Sequence, residues 1–211
     1  TLDMNHPDIE EFIDWKASEE EKVSALVIGS AILQKHANAI MEAIWTFDDE
    51  ERFSQKANLG LRKAMVQAIK EHVPQIHIQR ILDLAEQGWE GLEFEAMDTN
   101  WQGEAYLTIS GQNSNNSIRV PNSFMDTVKS DGDWNLYWRT ELEKSEAEGR
   151  DPEPCKTLDA RGLWDKVAYT AWACADPGVQ FDTTINEWHT CPEGGRINGS
   201  NPCSEYMFLD D

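Results

Sequence analysis

Positive charge is scarce in this chain. Lys and Arg number 18 against 39 Asp and Glu, so the 211 residues carry a formal net charge of −21. A surface of that sign repels a phosphate backbone, which excludes a basic nucleic-acid-binding face. A small nucleotide is not excluded, because a few local N–H groups or cations suffice to hold one. Long apolar runs are missing too: no stretch reaches the ~18 residues that a membrane-spanning helix needs, so no membrane association is expected. The opening residues, Thr1 to His6, have neither the basic start nor the apolar core of an export signal. Cysteine is sparse. Cys155, Cys174, Cys191 and Cys203 are separated by 19, 17 and 12 residues, with no C-x-x-C pair and no zinc-finger spacing. Reduced thiols and a cytoplasmic location are the expectation. His189 and Cys191 are close enough in sequence to share a metal ion, although an ordinary loop pair explains them as well. There is no initiator Met, and Leu209-Asp210-Asp211 follows directly on the apolar run Tyr206-Met207-Phe208. A fragment of a longer protein is therefore expected.

Enough apolar residues are present for a real core: they make up 40% of the chain, with nine Trp. Residues 1–5 read as a short strand. His6-Pro7-Asp8 reads as a helix start, and the stripe Ile9, Phe12, Ile13 predicts a helix ending near Lys16. From Glu19 to Trp45 apolar residues recur at about 3.6-residue spacing, which predicts a second, longer helix. Helices are also expected from Glu50 to Glu71 and from Gln75 to Glu86, with Gly88 as a stop. Residues 17–88 thus read as a helical insertion or subdomain. After it, Trp89 to Phe94 and Ala105 to Ile109 read as short strands. The Asn/Ser-rich run Gly111 to Ser117 reads either as a turn satisfying its own backbone or as a set of hydrogen-bonding groups for a polar ligand. Pro121-Asn122-Ser123 starts a helix, Trp134 to Trp138 is a strand, and residues 141–156 are a charged, Pro-rich surface connection. Leu158 to Cys174 is an amphipathic helix with Cys174 on its core face. Val179-Gln180-Phe181 begins a buried strand, and Asn186 to Gly195 is a loop. Short apolar strands joined by helices predict an α/β fold with parallel pairing.

The stretch with the most chemistry is Asn201-Pro202-Cys203-Ser204-Glu205. If it is extended, period-2 geometry puts the amide, the thiol and the carboxylate on one face. Such a face could orient a substrate hydroxyl, react with it and take its proton. A Pro-containing surface turn with a half-buried cysteine is the plainer reading of the same five residues.

Several blocks, in order, resemble the catalytic subunit of ribonucleotide reductases. They are Leu2-Asp3-Met4-Asn5-His6-Pro7-Asp8 through Asp14, Asn116 through Met125 with Gly132-Asp133-Trp134, Ala175-Asp176-Pro177-Gly178-Val179-Gln180-Phe181, and Gly195 through Glu205. The helical segment at 17–88 and the run Ser110 to Ser117 resemble the adenosylcobalamin-dependent, class II branch. The resemblance implies a partial ten-stranded α/β barrel. Residues 1–16 would be a barrel strand and helix, 17–88 a helical insertion, and 89–211 a barrel portion ending in the radical-cysteine loop. It implies that Cys203, at the tip of a loop inside the barrel, becomes a thiyl radical through cobalt–carbon homolysis of adenosylcobalamin. The radical would remove the 3′-hydrogen of a ribonucleotide. Glu205 would be the base on the 3′-hydroxyl, and Asn201, with Ser200 beside it, would hydrogen-bond the substrate. A thiol S–H bond is weak enough to exchange a hydrogen atom with a sugar carbon, and a carboxylate in reach is a competent base.

The partners that follow are a ribonucleotide substrate, deoxynucleotide effectors bound by regions outside this chain, and a thioredoxin-type reductant. A homodimer is compatible with the reading. In the family the reducing cysteine pair flanks this segment, so Cys155, Cys174 and Cys191 are given no redox role, and the piece alone is expected to have no turnover. Two other readings remain open: the iron-dependent class I branch of the same family, and a non-catalytic acidic α/β binding module with Cys203 as a structural thiol.

Overall fold

The structure is a computed structural model that describes residues 1–201 and 203–209; Pro202, Asp210 and Asp211 lie outside the described residues. The chain forms two compact units, one of residues 1–20 with 111–211 and one of residues 21–110.

In the first unit, strands β1 (Leu2–Asp3), β2 (Ser117–Val120) and β5 (Gly178–Phe181) form a parallel sheet in the order β1-β2-β5. Parallel pairing needs long crossovers, and the helices supply them. The α/β expectation with parallel strands holds at this level. All four residues of β2 are buried, because it lies between two partners and is covered on both faces. Its alternation divides the strand's chemistry. Ile118 and Val120 belong to the apolar core with Met4, Ile9, Ile13, Phe124, Val128, Leu163 and Val167. Ser117 and Arg119 alternate with them and point to the opposite side. In the register Arg119 lies beside Gln180 of β5, so these two side chains share that polar side.

Helix α1 covers Ile9–Trp45 without interruption, which corrects the expected break between Lys16 and Glu19. Lys16-Ala17-Ser18-Glu19 contains no Gly or Pro to stop propagation, and Ala17 and Glu19 are both buried. Farther on, helix α2 is Leu59–Lys70 and not Glu50 to Glu71. Residues Glu50–Phe53 form a separate 3₁₀ turn, and Asn58 starts α2 afresh. Its side-chain oxygen accepts from Leu61 N at 2.9 Å, while its amide donates to Ala43 O at 2.7 Å and Arg52 O at 3.0 Å. Helix α3, Gln75–Glu86, has the expected bounds, and Leu84 and Gly88 close it. Together α2, α3 and the later turns of α1 enclose the core of the second unit around Ile40, Ile44, Leu61, Ile78 and Ile81.

The strands expected at 89–94 and 105–109 are absent. Residues 89–97 instead hang from side chains of α1: Trp45 donates to Trp89 O at 2.8 Å, Gln34 to Phe94 O at 2.6 Å, and Met97 N to Ser30 Oγ at 2.9 Å. Helical side chains have taken the place of a neighbouring strand. Glu104–Leu107 is a short helix, α4.

Among the described residues, four more α-helices and two antiparallel strand pairings complete the first unit. Helix α5 is Asn122–Lys129, and β3 (Asp133–Leu136) pairs antiparallel with β4 (Lys156–Asp159). Between them, α6 (Arg139–Glu148) replaces the expected irregular surface connection. Its sequence is Pro-free and rich in helix formers, and Gly149, at φ 67°, ends it in the left-handed region. Helix α7 (Ala160–Cys174) starts at Asp159, whose carboxylate accepts from Gly162 N at 2.6 Å. Helix α8 (Asp182–Glu187) occupies the start of what was expected to be loop. Strands β6 (Gly199–Ser200) and β7 (Met207–Phe208) close the described chain as an antiparallel hairpin. No helix among the described residues is long and apolar enough to cross a membrane.

Candidate active site around the Cys203 hairpin

Asn201 to Glu205 lies in the connection between β6 and β7. Its described residues, Asn201 and Cys203 to Glu205, form a turn and not the extended run that would have put three side chains on one face. Ser204 N donates to Asn201 O at 3.0 Å, and Ser204 has φ +60°. A second bracket closes the loop. Asn201 N donates to Tyr206 O at 3.3 Å, and Tyr206 N donates to the Asn201 side-chain oxygen at 2.8 Å. Half of the Asn201 amide is thus committed to shaping the loop. Cys203 and Glu205 are exposed, and Asn201 and Ser204 are half-buried.

Cys203 and Ser204 border a cavity of about 530 Å³, in the size range of small-ligand sites. Its other walls come from Lys16 of α1, Asn115 to Ser117, and the turn from Cys174 to Val179. Part of the Asn/Ser-rich run therefore faces the same space as the thiol. Asn201 and Glu205 are not among the described residues lining it.

The walls are polar and largely satisfied. Asp176 accepts from Asn116 N at 3.3 Å. Its other oxygen lies 2.7 Å from Lys16 Nζ, an ion pair out of hydrogen-bond alignment. Lys16 also donates to Ser114 O. Lys16 and Asp176 both line the cavity and offset each other's charge there. Cys174 is half-buried on the cavity wall rather than in the core, which corrects the sequence expectation. It donates to Thr170 O at 3.3 Å, and burial pushes its thiol up from the ordinary range. Cys155 and Cys191 are exposed. No group of three His, Cys, Asp or Glu among the described residues could hold a metal ion.

Beneath the hairpin lies a polar network that sequence reading missed. Arg119 is 2% exposed and Gln180 1%. Arg119 Nε donates to Asp182 Oδ1 at 2.9 Å, Nη1 donates to Gln180 Oε1 at 3.1 Å, and Nη2 reaches Asp182 and Ile197 O. Arg196 pairs with the other oxygen of Asp182. Gln180 Nε2 then donates to Ser200 Oγ at 2.7 Å and Ser204 Oγ at 3.1 Å. The signal was an Arg inside an otherwise strand-like apolar run, Ser117-Ile118-Arg119-Val120. A buried cation needs a carboxylate partner, but the partner is 63 residues away.

Arg119→Met would strip the donor from Gln180 Oε1 and leave Ile197 O with Asn186 and Asp182 with Arg196. Because Asp182 keeps one cation, the cost should fall below the about 3–5 kcal/mol of a buried charge left wholly unpaired. The expected result in the full-length protein is faster amide hydrogen exchange across β2 and β5. Unchanged protection there would contradict the role given to this network.

All of residues 1–211 match the family described as ribonucleotide reductase, barrel domain, and the chain belongs to that family. It is 48% identical over 212 residues to the vitamin B12-dependent ribonucleotide reductase of Bradyrhizobium diazoefficiens. It is also 48% identical over 212 residues to that of Agrobacterium fabrum. Each match takes in 100% of this chain and 16% of the relative. A third such reductase, from Streptomyces avermitilis, is 35% identical over 210 residues, covering 100% of this chain and 14% of the relative.

Proposed function

We propose that this chain is the portion of an adenosylcobalamin-dependent ribonucleotide reductase that carries the radical-forming thiol, Cys203. The observation that carries the reading is an exposed thiol on a hairpin loop at the edge of a polar cavity of about 530 Å³. In this reading the parallel strands belong to a ten-stranded barrel completed by chain outside these residues. The segment 17–88 interrupts it as an insertion, and 1–16 and 89–211 are the barrel portions.

Adenosylcobalamin, when bound, supplies the radical that takes the hydrogen atom from Cys203. The thiol fits that task by its exposure. The remaining steps belong to this chain's own side chains. The Cys203 sulfur radical takes the 3′-hydrogen atom of the ribonucleotide, which re-forms the thiol and leaves a carbon radical. Glu205 accepts the 3′-hydroxyl proton, and Asn201 and Ser200 hydrogen-bond the substrate. The 2′-hydroxyl is protonated and leaves as water. A dithiol outside this chain supplies two electrons and two protons, one proton leaving in the water and one hydrogen arriving at C2′, and becomes a disulfide; Glu205 gives its proton back to the 3′-oxygen, and Cys203 returns a hydrogen atom to C3′. A thioredoxin-type protein would regenerate the dithiol. Deoxynucleotide effectors would act through other regions of a cytoplasmic enzyme that could assemble as a homodimer.

The full-length protein, given a ribonucleotide, a dithiol and adenosylcobalamin, is expected to form the deoxyribonucleotide, and to stop when the cobalamin is withheld. Activity that ignores cobalamin and needs iron would move the chain to the class I branch. No reduction under any of these conditions would favour the non-catalytic reading.

A further inference from the structure

We infer that Gln180 is a positioning residue for the Cys203 loop, fixing the direction of the hydrogen bonds on both sides of the thiol. The inference rests on the reading of Cys203 as the reacting group.

The Arg119 guanidinium can only donate. Its contact with the Gln180 side chain at 3.1 Å therefore fixes the amide oxygen on the arginine side. The amide nitrogen is left facing the loop, where it donates to Ser200 at 2.7 Å and to Ser204 at 3.1 Å. These two serines stand on either side of Cys203, so one amide holds both flanks. Ser200 accepts from Gln180, and its single proton has two acceptors in reach, Asn201 O at 2.8 Å and Ser204 Oγ at 3.2 Å, of which the nearer is Asn201 O. That carbonyl is the one that accepts from Ser204 N at 3.0 Å and defines the turn. Donation thus runs one way, from the Arg119–Asp182 pair through Gln180 and Ser200 into the backbone around the thiol. Burial of Arg119 and Gln180 keeps water from competing for these bonds.

The Asn201–Tyr206 bracket also shapes the loop. Its flanking strands, Gly199–Ser200 and Met207–Phe208, are two residues each, and Cys203 itself is exposed. Hydrogen-atom transfer needs sulfur and carbon within about 3–3.5 Å, and small displacements are costly in rate. A buried amide clamped to β5 is a rigid reference for that approach, with no need to touch substrate.

The test uses the full-length holoenzyme with adenosylcobalamin, a ribonucleotide and a dithiol. Gln180→Glu keeps the size and the acceptor for Arg119, but it turns the donor toward the serines into an acceptor. Both serine protons are then drawn to it, and Ser200 lets go of Asn201 O. The expected result is a fall in kcat of about tenfold or more with KM within about twofold. Ser204→Ala should also lower kcat. The double variant should be no slower than the slower single one, because the two act through one contact. A purely structural role would lower the folded fraction and leave kcat per folded molecule unchanged. That result, or losses that multiply in the double variant, overturns the inference. If Gln180→Glu does not fold, Ser204→Ala decides alone, and wild-type kcat there overturns it. Cys203→Ser in the same assay keeps the two claims apart. An active Cys203→Ser removes the reading of the thiol, whereas an inactive one beside an unaffected Gln180→Glu removes only the role of Gln180.

Discussion

Glu205→Gln in the full-length protein is expected to slow ribonucleotide reduction by about 10²–10⁴-fold, the range for loss of a general base. The substitution keeps the shape of the side chain and replaces an acceptor by a group that cannot hold a proton. Glu205 is exposed and follows Ser204 directly, so its loss disturbs neither the Gln180 contacts nor the Asn201–Tyr206 bracket. Folding and nucleotide affinity should therefore survive. Because proton removal occurs only on the way to the transition state, kcat and kcat/KM should fall together. A rise in KM at constant kcat would instead make Glu205 a binding group. A rate within about threefold of wild type would mean that the base lies elsewhere.

Parts of this site could be read from sequence because they depend on neighbours along the chain. Asn201, Cys203 and Glu205 are adjacent, and their chemistry suggests itself without a structure. The parallel strands followed from short apolar runs separated by helices, and α3 followed from its period and from Gly88. The failures share a physical cause, which is dependence on distant residues. The extended geometry expected for Asn201 to Glu205 gave way to a turn because Tyr206 returns to Asn201 across the loop. The strand expected at 89–94 gave way because α1 side chains took backbone groups at Trp89 and Phe94, and the one expected at 105–109 gave way to the short helix Glu104–Leu107. The break expected near Lys16 was drawn from the end of the apolar stripe Ile9, Phe12, Ile13, yet Lys16 is held by Asp176, 160 positions later in the chain.

Gln180 shows the limit most clearly. In sequence it is one polar residue in an apolar strand. Its meaning comes from the β2–β5 register, which sets it beside Arg119, and from a hairpin that returns two serines to its amide. Cys174 makes the same point in reverse. Its place on the helical stripe predicted a core residue, but Cys174 is the last residue of α7 and lines the cavity at the end of the helix.

The central claim is that the Cys203 sulfur carries the radical chemistry. The most direct measurement is deoxyribonucleotide formation by full-length Cys203→Ser, with adenosylcobalamin and a dithiol in excess and nucleotide binding measured on the same preparation. A serine O–H is too strong to give up its hydrogen atom in a thiol's place, and an exposed side chain on a two-residue-strand hairpin can lose its sulfur without unfolding the core. The account predicts no detectable reduction with binding retained. Reduction at a rate comparable to wild type would contradict it.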